Sequence, residues 1–268
     1  MPSEALDTRP RAAKSGWSWL LWPLAAWTGF VLVWWVSVRW SGSKVFPSPA
    51  AVLEGVRSLA VKGQLWAYTR DSLWRVLLAF GLSAMVAIPL GLVMGMSPGV
   101  ARLLQPPLQA LRTVSPLAWF PLAILAVGVG NVSAVVVTMT GSVFALSVQV
   151  MHAVGEVPRR FLDVGVNFGL SRRRLFRRVL LPAIAPQLVT GLRMALWTSW
   201  QVCMAAEMVA VDSGLGYLVF DARNAGQRYS LVVAAMLLIG VVGLVLDVAI
   251  RQLERLKFIE WAFLGETK

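Results

Sequence analysis

The chain has 268 residues, of which 57% are hydrophobic and only 14% charged, with a mean hydropathy of +0.68. A soluble domain carries roughly 25% charged residues, so this apolar surplus needs an apolar solvent and points to a bilayer. The formal net charge of +12 could suit nucleic acid, yet basic residues on a membrane protein mark its cytoplasmic side. One cysteine, Cys203, excludes an internal disulfide and a multi-cysteine metal site, and one histidine, His152, excludes a His cluster. No Lys follows a Gly, so a phosphate-binding loop is absent; if ATP energy drives this protein, another subunit has to bind the nucleotide.

The first apolar stretch runs over 17–38 without a charge, preceded by Arg9, Arg11 and Lys14. It is longer than a signal-peptide core and long enough to span, about 20 residues for about 30 Å. Its Trp residues suit the two membrane interfaces. An amphipathic helix is expected over 48–63. Ser48 can cap it, Pro49 fits its first turn and Gly63 its end, with Val52, Val56, Leu59 and Ala60 on one face. It lies along the outer interface or packs on the spans.

A second span is read from Val76 to Met96, containing Pro89 and several Gly. The next 43 residues, Thr113 to Gly155, hold no Asp, Glu, Lys or Arg. One helix of that length would reach about 65 Å, twice the hydrocarbon thickness, so the segment folds back. With Gly128, Gly130 and Asn131 near its middle, two spans are expected, over 113–128 and 132–153. A fifth runs over 186–211, interrupted by Arg193 and Glu207, and a sixth over 229–246. Counting Lys and Arg in the connecting segments gives fifteen on the side of the N-terminus and seven on the other. Both termini are therefore expected inside. The chain divides into an N-terminal tail (1–16), a transmembrane domain (17–250) with a cytoplasmic loop (155–185), and a C-terminal tail (251–268).

That loop, from Val157 to Pro182, reads as two short helices. Pro158 suits a first turn, Gly169 a left-handed stop, and Ser171 the cap of a second helix that Pro182 ends. Phe161, Val164 and Phe168 share a face of the first helix. Leu175, Phe176 and Val179 form an apolar stripe in the second, ringed by Arg172, Arg173, Arg174, Arg177 and Arg178. Composition alone leaves three readings: a solvated positive-inside loop, a basic nucleic-acid-binding element, or a surface that docks another protein.

Spacing separates them. From Gly169, nine residues lead to Val179, then Leu180, Leu181 and Pro182. This resembles the cytoplasmic-loop signature of ATP-binding-cassette importer permeases, with Asp163-Val164-Gly165 where that family has Glu-Ala-Ala. Phe46-Pro-Ser-Pro49, Asp71-Ser-Leu-Trp-Arg-Val76 and Pro116-Leu-Ala-Trp-Phe-Pro121 are similar to the branch importing nitrate, sulfonates and taurine. So are Ala205-Ala-Glu-Met208, Ser213-Gly-Leu-Gly-Tyr217 and Asp221-Ala-Arg-Asn224, and the likeness covers about 45–256.

The resemblance implies an all-α integral membrane protein of about six transmembrane helices, with the type I importer permease (MetI-like) fold and cytoplasmic coupling helices. It implies a bacterial inner-membrane location and a permease that is not itself an enzyme and needs no cofactor of its own. Two permease copies would form the pathway and two cytoplasmic ATPases carrying ATP and magnesium would dock beneath. A binding protein would deliver a small anion from outside. The coupling contacts would come from Phe161, Asp163, Phe168, Gly169, Ser171, Arg172, Arg173, Phe176 and Pro182. Glu207, the one acid expected well inside a span, needs a partner such as Arg193 or a donor from another span, and it suits a gate better than an anion ligand. Ser115, Ser147, Gln149, Ser199 and Gln201 are neutral candidates for the pathway. His152, near the inner end of span four, reads as structural. The rival class, an ion-gradient-driven secondary transporter, needs midplane ionisable groups and related halves. The chain offers one such acid, no visible internal repeat and only six spans.

Overall fold

A computed structural model describes residues 18–41, 46–224 and 226–254. The N-terminal tail and most of the C-terminal tail lie outside the described residues. Eleven α-helices follow in order: α1 (Ser18–Ser41), α2 (Pro49–Val61), α3 (Gln64–Met96), α4 (Pro98–Thr113), α5 (Phe120–Val127) and α6 (Asn131–Gly155), then α7 (Arg159–Asn167), α8 (Arg172–Leu175), α9 (Leu181–Ala210), α10 (Leu215–Asn224) and α11 (Tyr229–Glu254). A 3₁₀ turn at Pro116–Trp119 precedes α5, and a π turn at Phe176–Leu180 joins α8 to α9.

Among the described residues, five helical stretches are long and apolar enough to cross a membrane, and a sixth crossing results if the bent α4–α5 pair counts as one. The single span expected over 113–128 does not form. In its place stand the 3₁₀ turn and the eight-residue α5, about 12 Å long and too short to span. The pair bends by 94°. Pro116 and Pro121 remove backbone donors where a continuous helix would need them, and the Pro-preceding Ser115 is held out of the helical region. An uncharged run reports only its total length, so this break was hidden.

The core is built by α3, α6 and α9, and the α3–α6 pair forms its largest contact. That pair approaches closely because Gly91 and Gly95 fall one turn apart on the facing side of α3. A methyl group on Gly91 would lie 2.5 Å from the Ser147 carbonyl oxygen and 2.6 Å from Val150 Cβ; one on Gly95 would lie 2.5 Å from Val154 Cβ. This is small-residue packing of the kind that joins helices in lipid, where burial alone provides little drive. Ala87, Leu146, Val150 and Ala195 fill the same layer from the three helices.

Helix α3 starts twelve residues before the expected Val76 boundary, at Gln64 after Gly63, whose φ of 69° ends the preceding turn. Arg70 and Asp71 sit within it, at the end where charged heads can reach water while their stems follow the helix. The Ser48 side chain caps α2 by accepting the Ala51 N–H at 3.3 Å, as its sequence position suggested. The buried face of α2 is Val52, Gly55 and Leu59, while Ala60 is exposed. Gly55 lies against Ser230, Leu231 and Ala234 of α11, so α2 is packed on a span. Helix α1 exposes Leu21, Trp22, Leu24 and Trp27. It is apolar on every side, as a lipid-facing helix is.

Candidate functional site

Three features concentrate polar chemistry: the basic loop after α6, an ion-pair network at the opposite end of the bundle, and a polar groove between them. The loop forms the two helical pieces its turn residues suggested. Gly169, at φ +73°, closes α7 with a Schellman pair: its N–H donates to Val166 O at 2.8 Å and the Leu170 N–H to Gly165 O at 3.1 Å. Ser171 occupies the cap position of α8 with extended backbone, but its hydroxyl makes no capping bond.

Two details differ from expectation. Pro182 does not end the second helix. The π turn intervenes, with the Leu181 N–H reaching back five residues to Phe176 O. The widened turn accommodates the missing donor of Pro182, and Arg172–Ala210 runs on as one 39-residue rod. Phe176 turns inward, packing with Ala153, Val154, Leu180 and Ile184. Phe161, Val164 and Phe168 face outward, and Phe168 is 81% exposed. The exposed apolar strip thus belongs to α7 alone, with Asp163 exposed beside it and the Arg160 guanidinium 5.4 Å from the Phe161 ring centre. Gly165 is buried directly under the Leu175 side chain. Its lack of a side chain explains how Asp163-Val164-Gly165 serves where the related signature has small residues.

At the far end, Glu207 and Arg75 are 0% and 1% exposed and bonded, Arg75 Nη1 donating to Glu207 Oε1 at 2.7 Å. The other carboxylate oxygen accepts from Ser72 Oγ at 2.8 Å and from the Gly216 N–H at 2.9 Å. Arg75 also donates to the Ser213 carbonyl at 2.9 Å, to Ser213 Oγ at 2.6 Å and to Asn131 Oδ1 at 2.8 Å. Ser72 Oγ accepts the Leu215 N–H at 2.9 Å. A buried ion pair survives only when its remaining lone pairs and protons are occupied, and this one meets that condition. The Ser213-Gly-Leu-Gly run is part of it: a methyl group on Gly214 would meet the Glu207 carboxylate at 2.5 Å, and one on Gly216 would strike the Met204 carbonyl.

Glu207 therefore pairs with Arg75. Arg193, fourteen residues earlier on the same helix and so about 21 Å away, donates to both oxygens of Asp247 at 2.8 and 3.1 Å. Asp247 lies inside the span formed by α11, so Glu207 is not the sole intramembrane acid. Sequence reasoning missed Arg75 as the partner and Asn131 and Ser213 as its ligands. The available signal was that a lone Arg and a lone Glu in separate apolar runs have to find one another.

The groove, about 850 Å³, is lined on α6 by Gln149 and His152, just past its end by Glu156, and on α9 by Thr190, Arg193 and Thr198. Arg112 and Asp247 complete its polar wall. Among the neutral pathway candidates, only Gln149 lies in it. Ser147 is buried and donates to Val143 O at 2.7 Å. Ser199 is buried too, donating to Ser142 Oγ at 3.1 Å, which donates to Ser83 Oγ at 2.8 Å. That chain ties α9 to α6 and α3. Ser115 and Gln201 are exposed outside the groove.

Residues 87–258 match the model of the family described as binding-protein-dependent transport system inner membrane component. The putative aliphatic sulfonates transport permease protein SsuC of Escherichia coli (strain K12) is 34% identical, over 91% of this chain and 93% of its own. The nitrate import permease protein NrtB of Synechocystis sp. (strain ATCC 27184 / PCC 6803 / Kazusa) is 32% identical, over 96% and 98%. A chain of the inward-facing MetNI methionine ABC transporter shares the fold, with a TM-score of 0.61 at 19% identity, covering 72% of this chain and 93% of that one. These matches show that the chain belongs to the binding-protein-dependent inner-membrane transport components, as the permease subunit of an ATP-driven importer whose ATPase is a separate chain.

Proposed function

We propose that two copies of this chain form the pathway for a small anion of the nitrate or sulfonate kind, driven by two ATPases that hold ATP and magnesium beneath loop 155–185. The observation that carries this reading is the α7 strip. Phe161, Val164 and Phe168 are exposed, with the Arg160 guanidinium over the Phe161 ring, and large exposed apolar side chains of this kind mark a docking surface. The anionic substrate is supported by the sulfonate and nitrate permeases among the relatives. With the loop inside and the bent α4–α5 pair counted as one crossing, the order of crossings supports cytoplasmic termini and an outer position for the Arg75–Glu207 network.

The mechanism follows from the rod. ATP closure of the ATPases draws the two α7 seats together, and α8, the π turn and α9 move as one 39-residue lever. The far end of that lever carries Glu207, which is clamped to Arg75 on α3, so α9 and α3 turn as a unit. The bundle then alternates between two packed states by rigid-body rotation. Gly169 sets the angle between seat and lever, since its φ of +73° is strained for any residue with a side chain.

The test is co-purification with the ATPase. Phe168→Ala is expected to leave membrane insertion and melting temperature unchanged and to weaken ATPase association about ten- to a hundred-fold, the range for an aromatic hot spot. Gly169→Val is expected to insert normally and to lose ATP-driven uptake. Normal ATPase retention by the first and normal uptake by the second would remove the loop from this role.

A further inference from the structure

The groove is bordered at its lower end by further open space. A second cavity of about 1190 Å³ lies between the end of α3, the start of α4, the end of α6 and the basic loop. His152 near the end of α6 and Glu156 just past it line both cavities, so the two are neighbours there. Gln149, His152 and Glu156 stand at i, i+3 and i+7, one face of that helix. These three polar groups form a stripe with His152 where the two cavities adjoin.

Charge changes along it. In the groove, Arg193 is neutralised by the two-pronged bond to Asp247, and the other α6 and α9 donors there, Gln149, Thr190 and Thr198, are uncharged. Around the second cavity stand Arg159, Arg172 and Arg173, all exposed. Glu156 lies between the two regions and accepts from Gln187 Nε2 at 2.6 Å. An anion in the groove meets Arg112 among neutral donors, and then a mouth where three arginines raise the positive potential and draw it onward. Conduction needs this combination, favourable enough to enter and weak enough to leave.

We propose that the two cavities form this subunit's half of one continuous anion route, and that His152 contacts the anion at the junction, with Gln149 one turn above as the preceding donor. This rests on the reading that the substrate is an anion. His152 is exposed where the cavities join, so its replacement removes a contact without opening the core. The Glu156 carboxylate one turn further keeps the anion from settling at the junction.

The experiment uses the full importer, permease with its ATPase and binding protein, in proteoliposomes offered nitrate, bicarbonate, ethanesulfonate and taurine. Uptake and ATP hydrolysis are both measured on whichever of these the unaltered complex carries. His152→Leu is expected to lower uptake per ATP hydrolysed at least tenfold, with complex yield and binding-protein-stimulated hydrolysis within twofold of the parent. His152→Gln, which keeps a donor, is expected to retain more than half of the uptake ratio, and Gln149→Leu to lower it severalfold. A structural role would instead depress yield and hydrolysis together. Unchanged uptake per ATP in both His152→Leu and Gln149→Leu overturns the route, and parallel loss of uptake and hydrolysis in His152→Gln overturns the contact. Uptake of none of the four solutes by the unaltered complex overturns the anion reading itself, a failure distinct from either.

Discussion

Glu207→Ala is expected to destabilise the permease by about 3–5 kcal/mol, the cost of leaving the other member of a buried ion pair without its counter-charge. The substitution strands more than Arg75. Ser72 Oγ and the Gly216 N–H both donate to the carboxylate, and each buried donor without an acceptor costs about 1–3 kcal/mol. Arg75→Met is expected to be equally damaging, since Arg75 also holds Ser213 and Asn131 and so anchors both the α9–α10 connection and the start of α6. Glu207→Gln keeps an acceptor for Ser72 and Gly216 and is expected to fall between the parent and Glu207→Ala. Joining Arg75→Met with Glu207→Leu removes both charges together and is expected to recover much of the loss. Thermal melting of the detergent-solubilised variants, arranged as a double-mutant cycle, reads the coupling directly. Additive losses would show that the two side chains are not partners.

The second large effect is expected at the α3–α6 crossing. Gly91→Ala places a methyl group 2.5 Å from a backbone oxygen, Ser147 O, which cannot swing aside as a side-chain tip can. The helices then have to separate by close to an ångström along a contact that also contains Gly95. Overpacking of this kind costs about 1–3 kcal/mol, and Gly91→Val is expected to exceed that and to abolish assembly of the importer. Gly81 is the control. It lies on the same helix with nothing within 4 Å of an added methyl group, so Gly81→Ala is expected to be neutral or to gain the few tenths to 1 kcal/mol by which Ala favours a helix over Gly. Comparable melting temperatures for Gly91→Ala and Gly81→Ala would contradict the close crossing.

What could be read from residues alone divides along physical lines. The loop was legible because its turns are local: Gly169 stops a helix by its own backbone freedom, and Pro158 and Ser171 mark starts within a residue or two. The spans over 76–96, 132–153 and 186–211 were legible because lipid demands uninterrupted apolar length. The α4–α5 bend was not, since Pro116 and Pro121 sit in a run whose lack of charge says nothing about direction. The span boundaries also ran short. Arg70, Asp71 and Asp247 lie beyond the expected bounds of 76 and 246, yet long or paired charged side chains continue within a helix. The Glu207 partner depended on the mutual register of α3 and α9, 132 residues apart in sequence, which no local pattern records. For the same reason Ser147 and Ser199 looked available to a pathway and proved to be buried helix-to-helix donors.

The most direct measurement of the central claim is uptake by proteoliposomes containing this permease, its ATPase and its binding protein, with ATP sealed inside or withheld. ATP-dependent accumulation of nitrate or a sulfonate that persists when ionophores collapse every ion gradient, and that disappears with Phe168→Ala, is the expected result. Uptake that proceeds without ATP and stops when the ion gradients collapse would contradict it.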